Sequence, residues 1–217
     1  MHLAALWRYP VKSMAGEPLD ETQLDALGVL GDRDIYVLDQ RGRLVTARSR
    51  PQLLAHRATR NNDGNILVDG LPWTDLEVAR RVEVAAGAGA RLVRAQGAER
   101  FDILPLLVVS DGALAALGAD VRRLRPNLVI GGVAGLAERE WEGRFLRIGE
   151  AVIGFADLRG RCIMTTWNPD TREQNLEVLL DIRHRFGGKF GLNAWVERPG
   201  RVAVGDGAEL LDEAALL

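Results

Sequence analysis

Cysteine is almost missing from this 217-residue sequence, in which Cys162 is the only one. A lone thiol excludes an intrachain disulfide and fits a reducing compartment. It also excludes a multi-cysteine zinc site or an iron–sulfur cluster built from this chain alone. Net charge is nearly absent too, at −2, so there is no basic surplus to draw the chain to nucleic acid irrespective of sequence. Long hydrophobic runs are missing. The apolar opening of "MHLAALWRYPVKS" stops at Arg8, short of the roughly 7–15 residues of a signal peptide's apolar core. The later run "ILPLLVVS" is bounded by Asp102 and Asp111, well under the ~20 residues that span a bilayer. These absences predict a cytoplasmic protein with no membrane span and no nucleic-acid partner. Histidine is scarce, and His2 and His56 fall in no chemical pattern.

What is present is enough apolar residue for a core, 47% against 27% charged, in one large domain or two small ones. Short β-branched and apolar segments recur between turn signals: "DIYVLD", "RLVTAR", "NILVDG", "RRVEVAAG", "RLVRAQG", "NLVIGG", "RFLRIGEAVIGF", "NAWVE" and "RVAVGDGAEL". "DQRGR" and "NNDGN" read as hairpin turns, with Gly42 and Gly64 supplying positive φ. The pattern predicts a mainly β fold of α+β type, two β-rich halves of barrel or sandwich form with few, late helices. Ser110 is placed to cap a helix that Gly118 ends, and Asp120 to start a short turn before Pro126. A longer helix is predicted from about Gln174 to Phe186, ended by Gly187 and Gly188. Composition is weakest near "GAGARLVRAQG", which puts the boundary between halves 1–95 and 96–217.

Three clusters carry chemistry. Cys162 follows Arg161, and a neighbouring cation favours the thiolate, the form that attacks electrophiles or binds soft metals. The hydrogen-bonding run "TTWNPDT" follows directly, more polar than a core strand can usually satisfy. In "RYPVKSMAG", Lys12 and Ser13 present an ammonium and a hydroxyl together, a pair suited to an anion such as phosphate. In "RLRPNLVIGG", Pro126 is expected to hold Arg125 extended at a strand entrance beside Asn127. Arg33 and Arg48 sit at similar strand ends. Singly, each of these residues has a bland alternative: a buried structural thiol, a solvated loop, a surface arginine.

The ordered set "YPVKS", "LGVLGDRDIYVLDQRGRLVTARSRPQL", "RPNLVI", "WEGRFLRIGEAVI", "RCIMTTWNPDT", "RVAVGDGAEL" resembles the MOSC proteins along nearly the whole chain, from about Trp7 to Leu210. It is similar in particular to the branch with an N-terminal β-barrel half, which includes the mitochondrial amidoxime-reducing component and its bacterial relatives. The resemblance implies a molybdenum cofactor, a molybdopterin whose dithiolene holds the metal with a cysteine thiolate as a further ligand. That ligand would be Cys162, with Arg161 beside it keeping the thiolate deprotonated. Lys12 and Ser13 would contact the cofactor phosphate, Arg33 and Arg125 would add guanidinium contacts, and Ser110 and Asn127 would supply hydrogen bonds. Thr165 and Thr166 would form pocket wall, and Pro169 and Asp170 the turn that closes it. Trp167 would either cover a flat ring or pack. At family level the resemblance also brings pyridoxal phosphate binding.

The activity so implied is a molybdenum-dependent reduction of small N-hydroxylated or N-oxide compounds. The chain carries no fused cysteine-rich module, so a separate electron-donor protein is expected, a ferredoxin, a flavodoxin or a cytochrome b5-like partner. It is also shorter than many relatives between Pro72 and Phe101, which leaves the pocket rim open as a question. Two other readings stand beside this one. A molybdopterin-binding or sulfur-carrier protein would hold the cofactor without reducing a substrate. A thiol hydrolase would use Cys162 with His184 as base and Asp181 as its orienter.

Overall fold

Alternation writes the first strand, with one correction of phase. In β1 (His2–Arg8), Leu3 and Leu6 are both buried although three residues apart. An extra residue between Leu3 and Ala5, facing Ile130 and Val129, bulges the strand and returns both leucines to the core face. The structure, a computed structural model, describes residues 1–211. The strands that follow in its first half are β2 (Glu17–Leu19), β3 (Glu21–Asp25), β4 (Gly28–Val29), β5 (Ile35–Leu38), β6 (Leu44–Val45), β7 (Ala58–Arg60), β8 (Ile66–Val68), β9 (Leu71–Pro72) and β10 (Arg91–Arg94). Then come β11 (Leu106–Ser110), β12 (Leu128–Gly131), β13 (Phe145–Ile148), β14 (Ala151–Gly160), β15 (Lys189–Arg198), β16 (Gly200–Ala203) and β17 (Ala208–Leu211).

Eight of them form one sheet in the order β17-β13-β14-β15-β11-β12-β1-β2, and three small sheets, β10-β5-β6, β16-β3-β4 and β7-β8-β9, surround it. The mainly β class with peripheral helices is as predicted. The closed barrel is not: the large sheet has two free ends. It curls until β1 meets the turn before β17, where Leu3 N–H bonds to Asp206 O at 2.9 Å and Gly205 N–H to Leu3 O at 2.8 Å. Because β1 faces that turn, only the His2–Gly207 bridge forms and no ladder closes the seam.

β11 and β12 run parallel, and all residues of both strands are buried, which follows from cover on both faces. Leu106, Val108, Leu128 and Ile130 enter the main core. Val109 and Val129 face the other way, against Ile182, Phe186 and Phe190. A separate core built on Val11, Ile35, Val37, Ile66, Val78 and Val82 fills the first half, and Met164 of the second half packs against it.

Two helices match expectation. α2 (Asp111–Leu117) is capped by Ser110, whose hydroxyl accepts from Ala113 N–H, and Gly118 ends it at φ 68°. α3 (Glu177–Phe186) starts a few residues later than predicted and ends at Gly187. The helix preceding both, α1 (Leu76–Ala86), corrects the reading of "RRVEVAAG" as a strand. The alternation Val82-Glu83-Val84 suggested a strand, but Val84 is exposed while Val78, Val82, Ala85 and Ala86 are buried at helical spacing. Asp75 caps the helix by accepting from Glu77 N–H, a start signal that the strand pattern masked.

Ser110 also donates to Glu138 Oε2 at 2.8 Å, inside the protein where burial raises the Glu138 pKa. Replacing Ser110 with Ala removes a helix cap and leaves a buried carboxylate without its donor. The expected loss is about 2–3 kcal/mol of unfolding free energy, read by denaturant titration.

Candidate functional site

The ends of six strands meet around a cavity of about 340 Å³. Lys12 and Ser13 enter it from the chain after β1, Arg33 from before β5, and Arg48 from after β6. Asp102 comes from before β11, Arg125 and Asn127 from before β12, and Arg159, Arg161 and Cys162 from the end of β14. Six cations therefore line one cavity, with Asp102 as its one carboxylate.

Asp102 is the clamp. Lys12 Nζ lies 2.8 Å from one of its oxygens, Arg48 and Arg159 pair with the other, the latter at 3.5 Å. Burial works against the Asp102 charge, but these three cations outweigh it and hold its pKa below the ordinary 3.8. Arg48 reaches the Cys162 sulfur as well. Its burial would lower the guanidinium pKa, yet the sulfur and Asp102 together raise it. Among the described residues Arg125 and Arg161 pair with no carboxylate, and burial pulls the pKa of each down to about 10. Both stay protonated near neutrality.

Backbone strain concentrates here. Of five non-glycine residues at positive φ among those described, Ser13 (72°), Arg33 (54°) and Arg125 (57°) all line the cavity. Arg125 was expected to be extended. The left-handed conformation instead carries its guanidinium 4.2 Å from the centre of the Tyr9 ring and lets Nη1 donate to Met14 O at 2.7 Å. Arg33 lies over the same ring at 5.3 Å and pairs with buried Asp32. Asn127 is fixed by the backbone of β11: its Oδ1 accepts from Leu107 N–H at 3.2 Å, and its own N–H donates to Leu107 O at 2.8 Å.

Cys162 is half-buried and begins a 3-10 turn, Ile163–Thr166. Thr165 and Thr166 do not line the cavity, which corrects their assignment to its wall. Both are fully buried and bond backward, Thr165 Oγ1 to Cys162 O at 3.0 Å and Thr166 Oγ1 to Ile163 O at 2.7 Å. Ser110 is likewise absent from the cavity, because its hydroxyl is spent on the α2 cap and Glu138. His184 is exposed on α3, and Asp181 pairs with Arg185 rather than with it, so the hydrolase arrangement has no geometry to act through.

Sequence reasoning missed Asp102 and Arg159, and it placed Arg48 at a strand end without giving it a role. Arg159 gains its place from a bulge that inserts one extra residue into β14 between Phe155 and Leu158. Asn193 then accepts from Arg159 Nη1 at 3.0 Å while donating to Asp157 at 2.8 Å. Nothing in "FADLRG" announces that register change.

Residues 1–113 match the MOSC N-terminal beta barrel domain, and residues 106–209 match the MOSC domain. The chain belongs to the MOSC family. Human mitochondrial amidoxime-reducing component 1 is 29% identical to this MOSC protein over 97% of the chain and 83% of the human sequence. Mitochondrial amidoxime reducing component 2 of Macaca fascicularis is 26% identical over 94% and 82%. The human alignment spans 284 positions, more than this chain contains, so the relative carries insertions that this chain lacks. Among solved structures, YUAD from Bacillus subtilis aligns with a TM-score of 0.48 at 17% identity, over 96% of this chain and 93% of that one. No helix among the described residues is long and apolar enough to cross a membrane.

The cavity fits an anionic cofactor with a soft metal. Buried Arg125 Nη2 and Arg161 Nε have no hydrogen-bond partner among the described residues, so two of the cations that line it carry unused donors. No three His, Cys, Asp or Glu side chains converge among the described residues, so a metal at Cys162 would draw its other donors from a cofactor. Pyridoxal phosphate finds no support here, since its Schiff base needs a free amine and Lys12, the one lysine lining the cavity, is ion-paired with Asp102 and donates to Arg100 O at 2.9 Å.

Replacing Asp102 with Asn releases three cations into each other's field. We expect a loss of about 2–3 kcal/mol of stability at neutral pH, largely restored by millimolar pyrophosphate in a thermal melt. Because the Asp102 pKa is depressed on folding, its contribution is present above the unfolded value near 3.8 and fades as pH falls through the folded one. The variant's stability should therefore decline less steeply with acid than the wild type's.

Proposed function

We propose that this MOSC protein is a molybdenum-cofactor-dependent oxidoreductase that reduces small N-hydroxylated or N-oxide compounds. The observation that carries the reading is the chain's one thiol, placed in a cavity with six cations and a single carboxylate. Such a lining selects a multiply anionic ligand that also offers a soft metal to sulfur. The whole-chain similarity to amidoxime-reducing components supports the same choice.

Lys12 and Ser13 would hold the cofactor phosphate from their strained loop, and Arg33, Arg125 and Asn127 would bind its polar edge. Cys162 would supply the protein ligand to molybdenum. When bound, the cofactor supplies two-electron chemistry at an oxygen atom. The chain's own residues do the rest. Arg161 Nη2 donates to Leu124 O at 2.6 Å, which fixes the guanidinium beside Cys162 with its Nε free. Arg48 lines the same cavity as the Cys162 sulfur, which helps keep its guanidinium charged. Arginines remain charged at working pH, so these groups stabilise anionic charge and do not relay protons.

The overall reaction breaks the substrate N–O bond. Nitrogen gains two electrons, the oxygen leaves as water, and two protons come from solvent at the cavity mouth. The electrons come from a separate donor protein of ferredoxin, flavodoxin or cytochrome b5-like type.

The test is molybdenum per chain and pterin fluorescence for wild type and Cys162→Ala, made in a host that synthesises the cofactor. Wild type should carry both in near-equal amount to protein, and with a chemical reductant should turn over amidoximes, hydroxylamines or N-oxides. Cys162→Ala should lose metal and at least 100-fold in rate, as an estimate of roughly 3 kcal/mol in transition-state stabilisation. Retained cofactor with no turnover would favour the carrier reading. Absence of metal and pterin from wild type would remove the basis for either.

A further inference from the structure

A second cavity of about 470 Å³ lies behind the first, and Arg125 and Met164 form the wall that the two share. Apart from Arg125, none of the residues given a cofactor contact above lines it. Its lining sets three aromatic rings, Trp7, Tyr9 and Trp167, among arginines, with Asp170 as its one carboxylate.

Five buried side-chain polar atoms among the described residues have no hydrogen-bond partner: Trp7 Nε1, Tyr9 Oη, Arg125 Nη2, Arg161 Nε and Trp167 Nε1. Four belong to residues that line this cavity, and three of those residues, Trp7, Tyr9 and Trp167, line it alone. Tyr9 is only 3% exposed, so its hydroxyl is a fully buried group left without a partner. Burial pushes its pKa up to about 12, which keeps the proton in place. Native interiors satisfy nearly all such groups, and three orphans from two chain segments, the end of β1 and the turn after Cys162, whose side chains line one hollow, mark a place for a ligand.

The chemistry of the orphans selects its class. An indole N–H only donates, a guanidinium only donates, and a protonated tyrosine can donate. Every unused group therefore asks for an acceptor. Charge points the same way. Arg122 is neutralised by Asp120 and Asp170, but Arg57 and Arg172 at the same cavity have no ion pair among the described residues. Buried Arg125 has none either among them, its contacts being the Met14 carbonyl and the Tyr9 ring. Two indole rings and a phenol favour a flat π-system between them. The positioning is built: a Cβ at Gly16 would lie 2.3 Å from Arg8 O and 2.5 Å from Tyr9 Cδ1, so glycine is what allows the Tyr9 ring its place.

We propose that this second cavity binds a planar aromatic carboxylate, held by the Trp7 and Trp167 indole N–H groups and the Tyr9 hydroxyl, with Arg125 as counter-charge. The site shares Arg125 with the Cys162 cavity, but the three groups that define it, Trp7, Tyr9 and Trp167, line this cavity alone. A volume in the range of small-molecule sites, about 300–1,000 Å³, accommodates a fused two-ring acid.

The experiment titrates 2-naphthoate, and its uncharged counterpart 2-naphthylmethanol, into the intact protein with 15N-labelled indoles. Naphthoate should bind saturably at one per chain and shift the Trp7 and Trp167 indole N–H signals. Trp141, packed in the main core, should not respond. The alcohol should bind at least tenfold more weakly. Trp167→Phe, which keeps a ring and removes the donor, should weaken naphthoate about tenfold while molybdenum and pterin content stay at the wild-type level. The proposal is overturned if naphthoate gives no saturable indole shift at millimolar concentration, if the alcohol binds equally well, or if Trp167→Phe leaves affinity unchanged. Metal content is read on the same samples, so a failure here is distinct from failure of the oxidoreductase reading.

Discussion

The constraint on which this structure rests is positive charge held out of water without enough negative charge to balance it. Six cations converge on the Cys162 cavity, and Asp102 answers for only three of them. An uncompensated buried charge is among the more costly things a fold can contain. Arginine is the residue that tolerates it, because a delocalised, weakly hydrated guanidinium keeps its proton where an ammonium would give it up. Only two of the chain's 28 basic residues are lysines, Lys12 and Lys189. The lysine that enters the cavity is the one with a carboxylate at 2.8 Å.

Holding like charges at close quarters requires a rigid frame, and the frame is visible in the backbone. Ser13, Arg33 and Arg125 adopt positive φ without being glycine, each at an irregular link next to a strand. Such conformations persist only where the surroundings over-determine them. Around Arg125 those surroundings are the Tyr9 ring, the Met14 carbonyl and the shared wall of two cavities. Tyr9 is itself fixed by Asp32, which accepts from its N–H at 2.6 Å and pairs with Arg33. The loop after β1, the turn before β5 and the entrance to β12 are thus one hydrogen-bonded unit, although they are far apart in sequence.

Much of this was legible in the chain and some was not, for identifiable reasons. Hairpin glycines, the Ser110 and Asp120 caps and most strands are local signals, and they stand where expected. α1 was misread because Val82-Glu83-Val84 satisfies a two-residue period locally, while the deciding period extends over eleven residues. Arg125 was misjudged because proline restricts its neighbour only in the absence of stronger tertiary contacts. Asp102 and Arg159 were invisible. Asp102 follows a loop with no motif, and Arg159 depends on a bulge that only the pairing of β14 with β15 reveals. Barrel closure is a property of strand ends in space, which alternation along one strand does not encode.

The two threonines after Cys162 show why a motif can be right about importance and wrong about contact. Thr165 bonds to Cys162 O through both its backbone N–H, at 3.1 Å, and its hydroxyl, at 3.0 Å. Thr166 binds Ile163 O and accepts from Gln174, and Arg123 closes over the Thr166 carbonyl at 2.9 Å. Every one of these bonds goes to backbone or to the turn itself. The sulfur of Cys162 is thereby held by a turn that has spent its own polar groups internally, leaving the thiol and the flanking guanidiniums to face the cavity. A threonine that fixes the cysteine and a threonine that touches the ligand impose the same residue on the sequence. Only the direction of the hydroxyl separates them, and here it points back along the chain.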